Sequence, residues 1–259
     1  MDHSIIIPTA PKSPALKIVT LKWGTLYGPN YVNMLQRAAA RHLTLPHEFI
    51  CFTDDPTDLD PSVICHPIPE VDLPPQNKLS GWRKLGLFRP DLPIDGTCLF
   101  LDLDIVVLGS LDEFFSHAPG KIPIIHNWTS GLRSMIGSRP DVGNSSCFRF
   151  EANKQCFVVE QFEREHDWAL ANFRPPQTYL THCIRPQMTY WPEHWVRSFK
   201  RHCRHPFPLN LLLTPRVPKD ARIIAFHGRP NPDEAAVGFV GKRIHHRTLA
   251  APWISENWF

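Results

Sequence analysis

The chain has 259 residues, of which 42% are hydrophobic and 20% are charged, a composition typical of a globular protein with a sizeable core. The formal net charge of +3 is too small to indicate nucleic-acid binding. No stretch reaches the roughly 18 consecutive apolar residues that a membrane-spanning helix needs.

The cysteines and the first residues bear on cellular location. Seven cysteines without a C-x-x-C pair favour reduced thiols over a disulfide framework. Residues 1–15 predict a flexible, proline-containing lead-in, and they lack the basic leader and apolar core of a secretion signal. We therefore predict a cytoplasmic protein. Its basic C-terminal region is a candidate for peripheral contact with the inner face of a membrane, and a solvated surface is the alternative.

Predicted strands and helices alternate in the first third of the chain. Apolar residues recur there about every two residues in some segments, as in a strand, and about every 3.6 residues in others, as in a helix. This rhythm is typical of an α/β sheet with a nucleotide-sized crevice at the carboxyl ends of its strands. The predicted elements, in order, are strand 17–23, helix 30–43, strand 48–53, strand 63–68 and helix 80–89.

Residues 99–108, Leu-Phe-Leu-Asp-Leu-Asp-Ile-Val-Val-Leu, predict a strand that is buried on both faces. Asp102 and Asp104 lie two residues apart and would point to the same side of a regular strand. Two such carboxylates repel each other and lose water on burial, and a divalent cation relieves both problems. The sequence therefore predicts a metal site. Two acids held by backbone N–H groups or by Arg at a strand end are the alternative.

The second half of the chain continues the α/β pattern. Its predicted elements are strand 121–126, loop 127–143, strand 145–150, helix 152–173, helix 177–184, an extended segment at 189–191 and strand 222–227. The last strand ends at His227 and is followed by a glycine, Gly228. An imidazole next to two carboxylates would suit manganese, whereas a lone His at a strand end is more often a hydrogen-bonded surface group.

Two further features could contact a ligand. Lys84, one helix before the acid pair, could pair with Asp102 or hold a phosphate. Arg83 is its rival, and a solvated Lys is the alternative. Asn144 and Ser145 precede a strand, where they suit either sugar hydroxyls or a plain turn.

The motifs Leu-Phe-Leu-Asp-Leu-Asp-Ile-Val-Val, Asn-Ser-Ser and Phe-His-Gly-Arg-Pro follow one another within residues 16–232. In this order they resemble GT-A-fold glycosyltransferases, most of all family 8 and its bacterial relatives. The resemblance implies a mixed, mostly parallel central sheet flanked by helices, in one GT-A domain over 16–259. Its nucleotide-binding half would be 16–110, and its acceptor and sugar half, with a C-terminal extension, would be 111–259.

The same resemblance implies a metal-dependent hexosyltransferase. It would move a sugar from a nucleotide sugar, a UDP-sugar by analogy, to a glycan, lipid-linked or protein acceptor, with retention at the anomeric centre. The metal would be Mn²⁺ or Mg²⁺, held by Asp102, Asp104 and His227. Gln177 and Lys84 would be catalytic. The implied donor-binding residues are Thr20, Trp23, Tyr27, Thr53, Lys84, Asp102, Asn144, Ser145, Gly228 and Arg229.

The sequence departs from the family pattern at two points. The family often has Asp-Gln before its short helix, whereas this chain has Pro176-Gln177. The family also closes with Lys-Pro-Trp, whereas this chain has Arg229-Pro-Asn-Pro. Both departures affect the residues that would contact the sugar and the phosphates.

Two other functions are consistent with the acid pair. Strand-Asp-x-Asp-x-Val also resembles the first motif of haloacid-dehalogenase-type phosphatases, in which the first Asp is a nucleophile. That motif normally opens the fold, whereas at least two strands precede it here, and no Gly-Asp pair follows it. The other alternative is a non-catalytic nucleotide-sugar-binding protein of the same fold.

Overall fold

The structure, a computed structural model, describes residues 16–128 and 141–258. The predicted lead-in 1–15 and most of the predicted loop 127–143 lie outside the described residues. The described chain contains ten strands: Leu16–Lys22 (β1), His47–Thr53 (β2), Val63–His66 (β3), Thr97–Leu101 (β4), Ile105–Val107 (β5), Ile122–His126 (β6), Gly143–Glu151 (β7), Met188–Tyr190 (β8), Val196–Ser198 (β9) and Ile223–Ala225 (β10).

Seven strands form the main sheet in the order β3-β2-β1-β4-β7-β6-β8. The first four run parallel, β7 is antiparallel to both of its neighbours, and β8 is parallel to β6. The predicted mixed, mostly parallel sheet is therefore confirmed. Because β1, β2 and β4 run in the same direction, their carboxyl ends meet at one edge, as the alternation of elements predicts.

The helices of the described residues are Pro29–His42 (α1), Asp112–Ser116 (α2), Phe157–Asn172 (α3), Pro176–Ile184 (α4), Pro232–Val237 (α5) and Pro252–Asn257 (α6), with a 3₁₀ helix at Gly81–Phe88. Four of the six begin with proline. Proline suits this position because the first helical N–H has no partner inside the helix. Within the described ranges, no helix has the length and apolarity to cross a membrane.

The core has one layer on each face of the main sheet. In β4, Leu99 and Leu101 pack with α1 and the smaller sheet, whereas Cys98 and Phe100 pack with the 3₁₀ helix, α3 and α4. All four side chains are fully buried, so the prediction of a strand buried on both faces is confirmed for this part of the run.

The predicted single strand at 99–108 is wrong in one respect. The main-sheet strand ends at Leu101, residues 102–104 turn, and the chain continues as β5 in a second sheet of order β5-β10-β9. Asp102 and Asp104 therefore flank a turn between two sheets. The reason is electrostatic as well as topological, because two carboxylates keep access to polar partners in a turn that they would lose inside a fully buried strand.

The second sheet places the end of β10 beside this turn. β10 is antiparallel to β5, and the Phe226 N–H donates to the Asp104 carbonyl over 3.0 Å. The next residue is His227. The backbone thus brings His227 to the acid pair from more than 120 positions later in the sequence.

Candidate active site

A buried lysine holds the first acid of the pair. Lys84 projects from the 3₁₀ helix and is only 7% exposed. Its Nζ lies 2.7 Å from Asp102 Oδ1, and it also donates to the Ser145 carbonyl and to Ser145 Oγ, over 3.0 and 3.2 Å. The predicted pairing with Asp102 is confirmed. Arg83 points elsewhere, to the Lys78 carbonyl.

The second acid is held by a tyrosine. Tyr27 donates its hydroxyl to Asp104 Oδ2 over 3.2 Å. Loss of water and the nearby Asp102 charge raise the pKa of Asp104. Burial, followed by the Asp104 charge, raises the pKa of Tyr27, so this hydroxyl stays protonated and can donate. A raised carboxyl pKa marks a site that favours added positive charge.

A cavity of about 190 Å³ opens onto the acid pair. Its lining residues are Leu21, Trp23, Leu26, Tyr27, Leu79, Gly81, Lys84, Asp102, Leu103 and Asp104. The lining combines the aromatic rings of Trp23 and Tyr27 with two carboxylates and an ammonium group, so the cavity offers both a stacking surface for a planar base and contacts for a charged group. A larger cavity, of about 580 Å³, lies at residues 68–73 and shares no lining residue with it.

Two predicted donor residues lie behind the cavity lining. Thr20 is fully buried in β1, and its Oγ1 has no hydrogen-bond partner among the described residues. Thr53 closes a turn at the end of β2, where its hydroxyl donates to the Asp55 carbonyl over 3.0 Å and accepts from the Asp55 N–H over 3.1 Å. Both threonines stand on strands that reach the site edge, and their predicted contact with a nucleotide stays a prediction.

The predicted sugar-side residues converge on the start of β7. Asn144 accepts from the Ser146 N–H through Oδ1 over 2.9 Å. Thr181 of α4 accepts from the Gly143 N–H over 2.9 Å and donates to the Gln177 carbonyl over 2.7 Å. These two hydrogen bonds of Thr181 connect α4, which carries Gln177, to the start of β7, beside the sheet edge at which Asp102 and Asp104 lie.

His227 reaches the same edge, but its side chain faces a serine. Nε2 lies 2.7 Å from Ser198 Oγ, and the ring stacks on Trp128 with 5.7 Å between centroids. Burial, followed by the charges of Lys200 and Arg201, lowers the pKa of His227 to about 4. The imidazole is therefore neutral at pH 7, which is the form that binds metals.

The chemistry of these donors fits a hard divalent cation. Two adjacent carboxylates, one with a raised pKa, and a neutral imidazole are the ligand types that manganese accepts. In the parts of the chain that the structure describes, no three His, Cys, Asp or Glu side chains are already grouped as a metal site. The ligand set Asp102, Asp104 and His227 stays a prediction.

The sequence reasoning missed one cation beside His227. Lys200 donates its ammonium to the His227 carbonyl over 2.5 Å, and its Nζ lies 3.5 Å from where a side chain on Gly228 would begin. Arg229, the predicted phosphate contact, pairs with Glu234 and lies over the Phe239 ring, and its contact with a phosphate stays a prediction. The basic run 197–204 was the signal in the sequence that could have pointed to Lys200.

Several solved structures with a similar fold are glycosyltransferases. The galactosyltransferase LgtC, in complex with donor and acceptor sugar analogs, is 16% identical over 83% of this chain and 88% of its own, with a TM-score of 0.56. GlyE of Streptococcus pneumoniae is 14% identical over 83% of this chain and 56% of its own, with a TM-score of 0.53.

The bifunctional glycosyltransferase WbbM is 14% identical over 86% of this chain and 48% of its own, with a TM-score of 0.56. The chain thus spans about half the length of GlyE and WbbM. No protein-family model matches the sequence, and no curated protein matches it significantly. The sheet order and these structural similarities together show that the chain has a GT-A-like glycosyltransferase fold.

Proposed function

We propose that the protein is a metal-dependent glycosyltransferase of the hexosyltransferase type that uses a UDP-sugar and retains the anomeric configuration. One observation carries the proposal. A buried lysine joins Asp102 to Ser145 at the edge where the parallel strands of a GT-A-like sheet end. The complex of LgtC with donor and acceptor sugar analogs supports it. A glutamine-to-glutamate active-site mutant of LgtC, 15% identical to this chain, supports the role of Gln177, because it shows that a glutamine belongs to the LgtC active site.

Each side of the cavity has its own task in this proposal. Trp23 and Tyr27 offer aromatic faces to a uracil base. Lys84 supplies positive charge toward the phosphates while it keeps Asp102 oriented. Asn144 and Gln177 stand on the β7 and α4 side, where side-chain amides can bind sugar hydroxyls.

Manganese or magnesium, held by Asp102, Asp104 and His227, would neutralise charge on the diphosphate leaving group when bound. Lys200 adds a second positive charge on the β10 side, next to His227. The departing diphosphate would thus be surrounded by cationic groups, which favours charge that develops in the transition state. A cytoplasmic location is part of the proposal and rests on the seven free thiols.

The test is the turnover of UDP-sugars with manganese, measured as UDP release with and without candidate acceptors. Asp102→Asn and Asp104→Asn are each expected to lower turnover by at least about 100-fold, because each removes charge that balances a cation at the leaving group. Asp112→Asn is the matched control, since Asp112 is also hydrogen-bonded, to Thr44, but lies outside the site. Unchanged turnover in both acid-pair variants would remove the proposal.

The same assay separates the two alternatives. A haloacid-dehalogenase-type phosphatase would hydrolyse phosphomonoesters, but its acid motif opens the fold, and here β4 follows three other strands. A non-catalytic binding protein would bind UDP-sugar without releasing UDP. Of these two alternatives, the pairing of Arg229 with Glu234 favours the non-catalytic binding protein, because Glu234 engages an arginine that was predicted to contact a phosphate.

A further inference from the structure

Two segments in the C-terminal half have a strongly one-sided charge. Residues 199–217 and 239–251 contain no Asp or Glu, although the whole chain has 25, and they hold seven of the 28 Lys and Arg residues. The rest of the chain therefore carries a net negative charge. The seven cations are Lys200, Arg201, Arg204, Arg216, Lys242, Arg243 and Arg247.

The same two segments expose large apolar side chains. Thirteen large hydrophobic residues are exposed among the described residues, and seven of them lie here. Leu212 is 77% exposed, Val240 80% and Ile244 65%. The others are Phe207, Leu209, Leu213 and Val217. Such concentrated exposure marks an interaction surface, since single scattered apolar residues are the norm elsewhere.

A buried asparagine joins the two segments. Asn210 is 1% exposed, and its Nδ2 donates to the Arg247 carbonyl over 2.7 Å and to the His245 carbonyl over 3.4 Å. The leucines around Asn210 therefore stand beside the cations of 242–247. We call this surface the basic–apolar patch; its residues are Leu209, Leu212, Leu213, Lys242, Arg243, Ile244 and Arg247.

We propose that the basic–apolar patch binds the surface of an anionic lipid bilayer. Apolar side chains that protrude among cations can enter the boundary between head groups and acyl chains while the cations meet anionic lipid. The absence of any acid in both segments fits such a surface. The patch adjoins the turn that carries Lys200, so a bound membrane would lie on the His227 side of the candidate active site.

This inference goes beyond the proposed function, because it concerns where the protein binds and stands whether or not sugar transfer occurs. The test is co-sedimentation of the full chain with vesicles of phosphatidylcholine, with and without phosphatidylglycerol, at low and high salt. We expect binding to the anionic vesicles that weakens with salt, since each Lys or Arg near an anionic surface adds about fivefold in affinity.

Two double variants separate the two contributions. Leu212→Ser with Leu213→Ser is expected to weaken vesicle binding by about tenfold or more, because binding scales with the apolar area that enters the membrane. Lys242→Gln with Arg243→Gln is expected to weaken it by roughly 25-fold and to flatten the salt dependence. Lys121→Gln with Lys154→Gln is the matched control of equal charge change, outside the patch. Thermal unfolding and UDP-sugar turnover without vesicles should not change in any of them.

Three results would overturn the inference. These results are wild-type protein that stays in the supernatant with anionic vesicles, a leucine variant that binds as tightly as the wild type, and a control that loses as much binding as the Lys242 and Arg243 variant. Self-association that disappears in the leucine variant, without vesicle binding, would instead assign the patch to contact between copies of the chain. Analytical ultracentrifugation of the same proteins measures that outcome.

Discussion

At the scale of single residues, Lys84 is the group whose surroundings define the site. It is buried and has four oxygen partners, two supplied by Asp102 and two by Ser145. In Lys84→Met, Asp102 would remain beside Asp104 without its cation. We expect the free energy of unfolding to fall by about 2 kcal/mol, less than for a fully buried pair because Asp102 retains some exposure. We expect UDP-sugar turnover to fall by at least about 100-fold.

The structure offers a matched control for this prediction. Lys17 of β1 is also buried and pairs with Asp95 and Glu48, over 3.0 and 3.5 Å, at the opposite end of the strands. Lys17→Met should destabilise the fold and leave turnover per folded molecule unchanged. Denaturant unfolding and kinetics on both variants test this. An equal loss of turnover in the two would mean that Lys84 acts through stability alone.

Much of the acid-pair site can be predicted at this scale, and the reason is energetic. A buried charge is costly unless it has a partner, so Asp102 and Asp104 inside an apolar run indicate a site on their own. The same reasoning makes Lys84 a candidate. It does not choose between Lys84 and Arg83, because that choice depends on which side of the 3₁₀ helix faces β4.

At the scale of elements, the differences between prediction and structure come from distant parts of the sequence. The run 99–108 splits at Asp102 because β5 pairs with β10, which lies more than 110 residues later. The segment 81–88 is a 3₁₀ helix that passes close to another backbone: a Cβ on Gly86 would lie 2.8 Å from the Pro69 carbonyl oxygen. Local periodicity contains neither partner, so it predicts the elements but not their interruption.

The turn after β9 leads to a prediction that compares two cations. Lys200 donates to the His227 carbonyl, whereas Arg229 is occupied by Glu234 at the surface. We expect Lys200→Met to raise the KM for UDP-sugar or to lower kcat by roughly 10- to 100-fold, the value of one hydrogen bond to a charged group. Arg229→Met should change either constant by less than about threefold, since an exposed ion pair contributes little.

Steady-state kinetics of the two variants, at saturating manganese, decide between the cations. A larger loss in Arg229→Met would restore the family-like assignment, in which the cation after His-Gly contacts the phosphates. Glu234→Gln is a useful companion. Added to Lys200→Met, it frees Arg229 from its ion pair. If Lys200 is the cation that the site uses, the turnover lost in Lys200→Met is not expected to recover.

At the scale of the whole molecule, the order of elements was sufficient to predict an α/β sheet, and the family resemblance added that it is mixed and mostly parallel. Each parallel strand carries its own hydrophobic pattern, and the prolines that begin α1, α4, α5 and α6 can be read directly. The basic C-terminal region was predicted as a candidate membrane contact, whereas the second sheet and the apolar part of the basic–apolar patch were not predicted. Both arise from contacts between distant segments, such as Asn210 with Arg247. The exposure of side chains at such a surface follows no local periodicity of the sequence.

The last prediction concerns the stability of the folded chain with ligand. If UDP and manganese bind together, 100-fold excess over Kd adds about 2.7 kcal/mol, which should raise the Tm by roughly 5–10 °C. Thermal-shift measurements with UDP, manganese and both should show a combined shift larger than the two separate shifts added together. Asp102→Asn should reduce the combined shift to that sum, because it removes a predicted ligand. A full shift with UDP alone would contradict the proposed metal dependence. The absence of a shift with any nucleotide would contradict the proposed nucleotide-sugar donor.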